Sequence, residues 1–207
     1  MTIHPFRLGA LKAPQYGPLA AMQTISDEAL MARIAVHDEL AMGILFTRHN
    51  VRIYRFALRL VRDRQQAEDL VSEVFLDVWR QAAMFQGRSA VATWLLAIAR
   101  FKTLSSLRRR DEEGLDETTA AAIPDTADDP EMAMLKTEQS GLLRRCLTRL
   151  SSQHREIVDL VYYQGMTIGA AAAIVGIPEN TVKTRMFHAR KRLSALLGAA
   201  GVDGAGQ

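Results

Sequence analysis

Apolar residues recur along this chain at steps of three and four residues, which is the spacing of one face of an α-helix. The clearest case is the segment AEDLVSEVFLDVWR, where the apolar pairs LV, VF and VW follow one another every four residues from Leu70 onwards. Such a wide stripe predicts a helix of about 16 residues with one buried face. Alternation with a period of two, which would indicate strands, does not persist anywhere. The pattern therefore predicts an all-α fold.

Residues that start and stop helices divide this pattern into segments. Ser26 and Asp38 are capping residues that precede periodic apolar segments, so each predicts a helix start. The second start leads into LAMGILFTRHNVRIYRFALRLV, which predicts a long helix with a break near His49 or Asn50. A further helix is predicted over VATWLLAIARFKTLSSLRRR, whose final arginines suit a helix C-terminus. Gly165 is placed to cap a helix in the second half of the chain.

A local change of composition divides these helices into two predicted domains. Hydrophobic residues make up 48% and charged residues 24% of the chain, which are values of globular proteins. An intervening stretch is acidic, short of large apolar residues and interrupted by Gly114, Pro124 and Pro130, which is typical of a linker. The predicted organisation is a flexible tail over 1–24, a helical domain over 25–110, an acidic linker over 111–135, a second helical domain over 136–198 and a flexible tail over 199–207.

The distribution of charge points to nucleic acid as a partner. Ten acids and one base lie between Asp111 and Glu138. Removing them from the totals of 26 bases and 23 acids leaves 25 bases and 13 acids elsewhere, a net charge of +12. Two basic bodies joined by an acidic segment favour nucleic-acid binding over binding of small metabolites.

Several classes of protein are disfavoured by simple counts. Cys146 is the only cysteine and lies among leucines at helical spacing, so we predict a buried core thiol and no disulfide or cysteine metal cage. No apolar run reaches the roughly 20 residues of a membrane span, and prolines interrupt the basic N-terminus, which argues against a signal peptide. The sequence predicts a soluble cytoplasmic protein that needs no cofactor or metal.

The C-terminal part of the chain has the pattern of a helix-turn-helix. A short alanine-rich helix, TIGAAAAIV, leads through GIP into the basic helix ENTVKTRMFHARKRL. Gly176 tolerates the positive φ of the turn, and Pro178 suits the first helical turn because its missing N–H costs little there. A generic α-hairpin with a solvated basic face is the alternative interpretation.

A recognition helix in a major groove presents its N-terminal half to the base edges. The residues so placed are Lys183, Thr184, Phe187 and His188, while Arg185, Arg190, Lys191 and Arg192 are placed for phosphates. For His188, a base contact and an exposed position without a base contact are equally favoured interpretations.

Two segments of the sequence resemble a known family. The pattern LSSQHREIVDLVYYQGMTIGAAAAIVGIPENTVKTRMFHARKRL resembles region 4 of the extracytoplasmic-function sigma factors of bacteria. AEDLVSEVFLDVWR followed by TWLLAIARFKTLSSLRRR resembles their region 2. The resemblance covers roughly residues 26–110 and 136–197. It implies a subunit that binds core RNA polymerase, reads a promoter at two elements and helps to open the duplex, and that is not itself an enzyme.

The resemblance also implies two contacts with the polymerase. Region 2 docks on the coiled coil of the β′ subunit, and region 4 meets the β flap. Carried over by position, the β′ contact is formed by Asp69, Ser72, Glu73, Leu76 and Arg80. Ser72 stands where the family usually has glutamine, so this contact lacks an amide. The remaining implied partner is an anti-sigma factor that covers these faces.

The −10 element is assigned by the same resemblance. The implied pocket for a flipped base consists of Phe85, Gln86, Gly87, Arg88, Ser89 and Ala90, and the basic side of the following helix consists of Arg100, Lys102, Arg108, Arg109 and Arg110. Phe101 stands where the family commonly has asparagine, which suggests packing in place of a polar contact. We interpret Trp94 as a core residue more readily than as a stacking platform, because it shares a stripe with Leu95, Ile98 and Phe101.

Alternatives remain at three levels. The acidic linker either mimics nucleic acid in the polymerase channels or is a plain tether. The whole chain could be an autonomous helix-turn-helix regulator that binds an operator as a dimer, although such a regulator has no need of AEDLVSEVFLDVWR. A nucleic-acid-processing enzyme is disfavoured, because the five histidines lie far apart and no phosphate loop or nucleophile motif is present.

Overall fold

The computed structural model describes residues 25–112 and 138–200. The first range contains α1 (Asp27–Ile34), α2 (Glu39–Val61), α3 (Arg64–Gln81), a 3₁₀ turn (Ala82–Met84) and α4 (Val91–Glu112). The second contains α5 (Glu138–Thr148), α6 (Ser152–Val158), a π-helical turn (Asp159–Tyr163), α7 (Ile168–Val175) and α8 (Glu179–Ala199). No strand occurs in either range, so the predicted all-α class is confirmed. The predicted tail 1–24 and nearly all of the predicted linker and C-terminal tail lie outside the described residues.

Side-chain caps explain where the helices begin. The Ser26 hydroxyl accepts the N–H of Ala29 at 3.2 Å, and a carboxylate oxygen of Asp38 accepts the N–H of Ala41 at 3.0 Å. These bonds satisfy amide groups that have no partner inside the helix. Both predicted starts, at Ser26 and Asp38, are therefore confirmed.

The predicted break in α2 near His49 or Asn50 is wrong, because the helix is continuous from Glu39 to Val61. His49 is buried, and its Nε2 lies 2.7 Å from Oδ2 of Asp27 on α1. Arg48 donates to the other carboxylate oxygen of Asp27 at 2.7 Å. Burial raises the pKa of the Asp27 carboxyl, but the hydrogen bonds from Arg48 and His49 outweigh it, and the net pKa is lowered. His49, which suggested a break, thus binds α2 to α1 together with Arg48.

The N-terminal half is a helical bundle in which α2 packs against α1, α3 and α4. Its fully buried side chains include Leu30, Ile34, Leu45, Ile53, Phe56, Val74, Val78, Leu95 and Leu96. The stripe predicted from Leu70 onwards faces this core, because Leu70, Val71, Val74, Phe75 and Val78 are all buried. The opposite face of α3 is left for solvent or a partner.

The C-terminal half packs α8 against α5, α6 and α7. Cys146 is buried, as predicted. Gly165 and Gly176 have φ values of 63° and 73°, in the left-handed region that glycine tolerates best. Pro178 lies one residue before α8 as its N-cap, with ψ of 146°, and not inside the first turn as predicted.

The two halves also contact each other. Helix α4 packs against α7, and the buried apolar residues of both halves form one continuous cluster. Ala171 and Ala172 on α7 are buried, and their small side chains allow a close approach of the neighbouring helices. Residues distant in sequence, such as Thr93 and Met166, are thereby brought into contact.

Candidate nucleic-acid interface

Helix α8 separates its apolar and polar residues by face. Val182, Met186, Ala189 and Leu196 are buried against the other C-terminal helices. The predicted groove-facing residues Lys183, Thr184, Phe187, His188, Arg190, Lys191 and Arg192 are exposed, and Arg185 is half-buried. The structure therefore presents nearly the whole predicted set to solvent on one helix.

Two aromatic rings stand in the centre of this basic surface. Phe187 is 63% exposed, and its ring lies edge-on to the ring of His188, with centroids 5.4 Å apart. His188 also stacks near His154 of α6, at 6.4 Å between centroids. An apolar ring surrounded by cations has the chemistry to contact a thymine methyl group beside phosphates.

The turn before α8 sets the position of this surface. The N–H of Gly176 donates to the carbonyl oxygen of Ala172 at 2.8 Å, and the N–H of Ile177 donates to the same oxygen at 3.2 Å. The first is the bond of an αL cap and the second is the long bond of a Schellman cap, and together they end α7 at the left-handed Gly176. A helix-turn-helix geometry follows from this cap and the following helix start at Glu179.

The loop between α3 and α4 is the second predicted DNA contact. Gln86, Gly87, Arg88, Ser89 and Ala90 are exposed, and Gly87 has a φ of 66°. Phe85 is half-buried, with its ring centroid 5.4 Å from that of Trp94. Trp94 is itself half-buried and packs on the hydrophobic core, in line with the core interpretation.

The basic residues of α4 divide into two groups. Arg108 and Arg109 are exposed near the end of the helix, and Arg110 is half-buried. Lys102 instead lies 2.8 Å from Asp77 and 3.4 Å from Glu73 on α3. Burial lowers the pKa of the Lys102 ammonium, but the two carboxylates outweigh it, and the net pKa is raised.

Arg100 is also occupied, by a residue of the C-terminal half. Its Nε donates to Oε1 of Glu156 at 2.6 Å. The structure thus places acidic partners beside both Arg100 and Lys102.

The packing role suggested for Phe101 is wrong, since this side chain is 72% exposed. Leu95, Leu96 and Ala99 occupy the buried side of α4, and position 101 falls on the opposite side. Leu104, one turn further on, is also exposed. The helix therefore carries an apolar surface beside its terminal arginines.

The outer face of α3 is acidic. Its exposed residues include Asp69, Ser72, Glu73, Leu76 and Arg80, which are the residues predicted for the polymerase contact. Leu76 is 46% exposed, a large apolar side chain among charges. The hydroxyl of Ser72 donates to the carbonyl oxygen of Glu68 at 3.1 Å and so turns back onto its own helix.

Comparison with known proteins relates both halves to one family. The family model "Sigma-70 region 2" matches residues 45–113, and the model "Sigma-70, region 4" matches residues 140–193. The ECF RNA polymerase sigma factor SigL of Mycobacterium tuberculosis (strain H37Rv) is 31% identical over 179 residues, which cover 83% of this chain and 99% of SigL. The chain belongs to the ECF sigma factors of the sigma-70 family. It is therefore a transcription initiation factor, in a family that is not normally enzymatic.

Other relatives of this sigma factor agree. SigK of Mycobacterium bovis (strain BCG) is 28% identical over 170 residues, which cover 80% of this chain and 90% of SigK. The structure of CnrH in complex with the cytosolic domain of CnrY has a TM-score of 0.62 and 26% identity, covering 84% of this chain and 97% of that one. RpoE in complex with the anti-sigma factor NepR, from Bartonella quintana, has a TM-score of 0.61 and 30% identity, covering 77% and 96%.

Two features are absent from the described residues of this sigma factor. None of the helices in residues 25–112 and 138–200 is both long and apolar enough to cross a membrane. Within the same ranges, no three His, Cys, Asp or Glu side chains are grouped so that they could hold a metal ion.

One set of residues was missed by sequence reasoning. Arg59 on α2 contacts Asp159 of the π-helical turn, and Arg52 donates to the carbonyl oxygen of Gln164. Together with the Arg100–Glu156 pair, these contacts join the two halves of the sigma factor. The only signal of these contacts in the sequence was the pair of acids in REIVDLVYY, Glu156 and Asp159. They stand at positions where an amphipathic helix would be apolar.

Proposed function

We propose that this sigma factor binds core RNA polymerase through the exposed acidic face of α3 and directs it to promoters through α8 and the loop before α4. The observation that supports this most strongly is that an acidic face and two basic faces coexist on separate helices. DNA alone would not require the acidic face. The residues proposed for the β′ coiled coil are Asp69, Ser72, Glu73, Leu76 and Arg80.

A second polymerase contact is proposed on the C-terminal half. An apolar groove of about 590 Å³ lies between α5, the π-helical turn and α8, lined by side chains that include Leu143, Leu147, Tyr162 and Leu193. Leu143 and Tyr162 are exposed there. Exposed apolar side chains in a groove suit a partner helix, and we assign this groove to the β flap.

The −35 element is proposed to lie against α8. Lys183, Thr184, Phe187 and His188 would reach base edges in the major groove, where a good bidentate contact is worth about 1–3 kcal/mol of discrimination. Arg185, Arg190, Lys191 and Arg192 would hold phosphates and so add affinity without sequence preference.

The −10 element is proposed to lie against the loop of residues 85–90 and the exposed end of α4. Flipping one base out of the duplex costs a few kcal/mol, which hydrogen bonds and stacking in the pocket must supply. Arg88 and Ser89 offer exposed hydrogen-bond donors, and Phe85 offers part of a ring. The half-buried Arg110 and the exposed Arg108 and Arg109 are placed for the duplex backbone.

The domain limits belong to the same proposal. Residues 25–110 would form the domain for β′ and the −10 element, 136–198 the domain for the −35 element, and 111–135 the acidic connection between them. Because the similar protein CnrH is in complex with the cytosolic domain of CnrY, and RpoE with the anti-sigma factor NepR, we also propose an anti-sigma partner acting in the cytoplasm.

The experiment that tests this function is promoter-directed run-off transcription with purified core polymerase. Templates come from promoters identified by sequencing transcripts after overexpression of the chain. We expect a transcript of defined length only when the chain is added. Tight operator binding by the chain alone, without any transcript, would instead support the autonomous regulator.

A further inference from the structure

Lys102 lies where α4 packs against the acidic face of α3. Its Nζ is 2.8 Å from Oδ2 of Asp77 and 3.4 Å from Oε2 of Glu73, so one ammonium bridges two carboxylates of the neighbouring helix. The Lys102 side chain is only 17% exposed, whereas that of Glu73 is 49% exposed. Lys102 is thus an inner group of this surface, and Glu73 extends from it to solvent.

The three charges do not suit a nucleic-acid phosphate. Two carboxylates and one ammonium leave the cluster with a net negative charge, and a phosphate within reach of Lys102 would also lie close to Asp77 and Glu73. A direct phosphate contact would require Lys102 to leave both carboxylates and to move from a largely covered position into solvent. A net negative cluster favours a cationic partner over a phosphate.

Lys102 also affects the orientation of the acids on α3. Glu73 and Asp77 stand four residues apart on one helix, where like charges repel each other. An ammonium that contacts one oxygen of each carboxylate offsets this repulsion and restricts the rotamers of Glu73. A side chain that is already restricted loses less conformational entropy when a partner binds, so its contribution to affinity is larger.

We propose that Lys102 is a positioning residue of the polymerase surface and not a DNA contact. Together with Asp77, it holds Glu73 in the orientation in which the acidic face of α3 meets the β′ coiled coil. The inference rests on the proposed function, which assigns Glu73 to that contact. Lys102 and Asp77 act through Glu73 and do not themselves touch the polymerase.

Equilibrium binding of the full chain to purified core polymerase tests the positioning role. At about 0.3 M salt, where charges more than about 8 Å apart are screened, Lys102→Met should raise Kd at least about threefold, because Glu73 is no longer held. Lys102→Arg keeps the positive charge and should bind like the unmodified chain. Arg109→Met makes the same change of net charge at an exposed site further along α4, so its Kd should stay unchanged.

A double-mutant cycle shows whether Lys102 acts through Glu73. Glu73→Gln should weaken core binding, and Lys102→Met should add little to that loss when both changes are combined. Circular dichroism checks that each variant is folded. Should Lys102→Met fail to fold, Lys102→Gln takes its place with the same expectations, because it keeps a hydrogen-bond donor for Asp77 without the charge.

Promoter binding tests whether Lys102 contacts DNA. Holoenzyme assembled with excess core polymerase is titrated, at several salt concentrations, with duplex that carries both promoter elements. Lys102→Met should leave the slope of log K against log salt unchanged, whereas Arg109→Met should make it shallower by about 1, the value for one lost phosphate contact. An equally shallow slope in Lys102→Met would make this residue a phosphate contact and overturn the proposal.

Asp69→Asn separates failure of this inference from failure of the proposed function. Asp69 belongs to the same proposed surface, and its carboxylate accepts from Gln65 at 3.2 Å. If Asp69→Asn weakens core binding and Lys102→Met does not, or if the losses in the cycle simply add, the inference is overturned and the polymerase surface stands. If none of these variants weakens core binding, the polymerase surface of the proposed function is overturned together with the inference.

Discussion

Nε of Arg100 lies 2.6 Å from Oε1 of Glu156, so a side chain predicted from the sequence to contact promoter DNA is paired with a carboxylate 56 residues further along the chain. Glu156 is buried, and Nε and one terminal nitrogen of Arg100 donate to its two carboxylate oxygens. Carboxylate and phosphate are both anions that a guanidinium binds through planar hydrogen bonds, so Glu156 would compete with a phosphate for Arg100.

Replacing Glu156 with glutamine should destabilise the chain. The variant keeps the shape of the side chain but removes its charge, and the loss of a charged hydrogen bond in a buried position costs about 1–3 kcal/mol. Urea unfolding followed by circular dichroism measures this as a lower midpoint with a similar slope. Glu68→Gln, at an exposed position of α3, is the matched control and should leave the midpoint unchanged. Equal midpoints for both variants would contradict the assigned burial of the Arg100–Glu156 pair.

The pH dependence of stability should report on Asp159. Burial raises the pKa of this carboxyl above its ordinary 3.8, against the opposing effects of Arg59 and Gln164. Because the folded pKa is raised, the contribution of Asp159 to stability is fully present below the unfolded value and is lost as the pH rises through the folded pKa. Asp159→Asn cannot titrate and should lose less stability over that interval.

The measurement is urea unfolding of the unmodified chain and of Asp159→Asn between about pH 4 and pH 7. Other titrating groups are common to both proteins, so the difference between the two curves isolates Asp159. We expect this difference to shift in favour of the variant as the pH rises. A difference that stays constant with pH would show that the pKa of Asp159 is not raised.

Lys183→Ala should weaken recognition of the −35 element and leave core binding intact. Lys183 is exposed on α8, and loss of one base contact costs about 1–3 kcal/mol of discrimination. The readout is competition between promoters with intact and altered −35 sequences, alongside co-purification with core polymerase. Lys191→Ala, proposed to contact phosphate, should instead weaken binding to all sequences and reduce the salt dependence. Loss of core association in Lys183→Ala would mean that the two surfaces were assigned wrongly.

Phe101→Ala should reduce opening of the promoter without destabilising the fold. The side chain is 72% exposed and lies on the helix proposed for the −10 element. Stacking of a base on an aromatic ring is worth about 1–3 kcal/mol, whereas substitution at an exposed position changes stability by less than about 0.5 kcal/mol. Permanganate reactivity of unpaired thymines measures opening, and Leu104→Ala on the same surface is the control. Equal opening by the two variants would show that the Phe101 ring does not stack on an unpaired base.

Much of the site could be predicted because its signals are local. The turn at Gly176 and the spacing of the bases after it are enough to predict that Lys183, Thr184 and His188 share an exposed helix face, where the fold indeed places them. The errors have a tertiary origin. His49 and Asn50 suggested a break because they are polar residues within a helical pattern. The sequence does not show that His49 has a partner, Asp27, on another helix. Phe101 suggested packing because hydrophobicity alone does not reveal which side of a helix another element covers.

The amino-acid sequence by itself determined the helices, the family and the separation of acidic and basic surfaces. Caps, turns and apolar periodicity act over a few residues, and a family pattern is a property of the sequence. Only the tertiary structure decided that Glu156 and Asp159 are buried partners of Arg100 and Arg59. Such pairs depend on how two halves of the chain meet, and nothing within four residues of a charged side chain specifies a partner that lies 56 or 100 residues away.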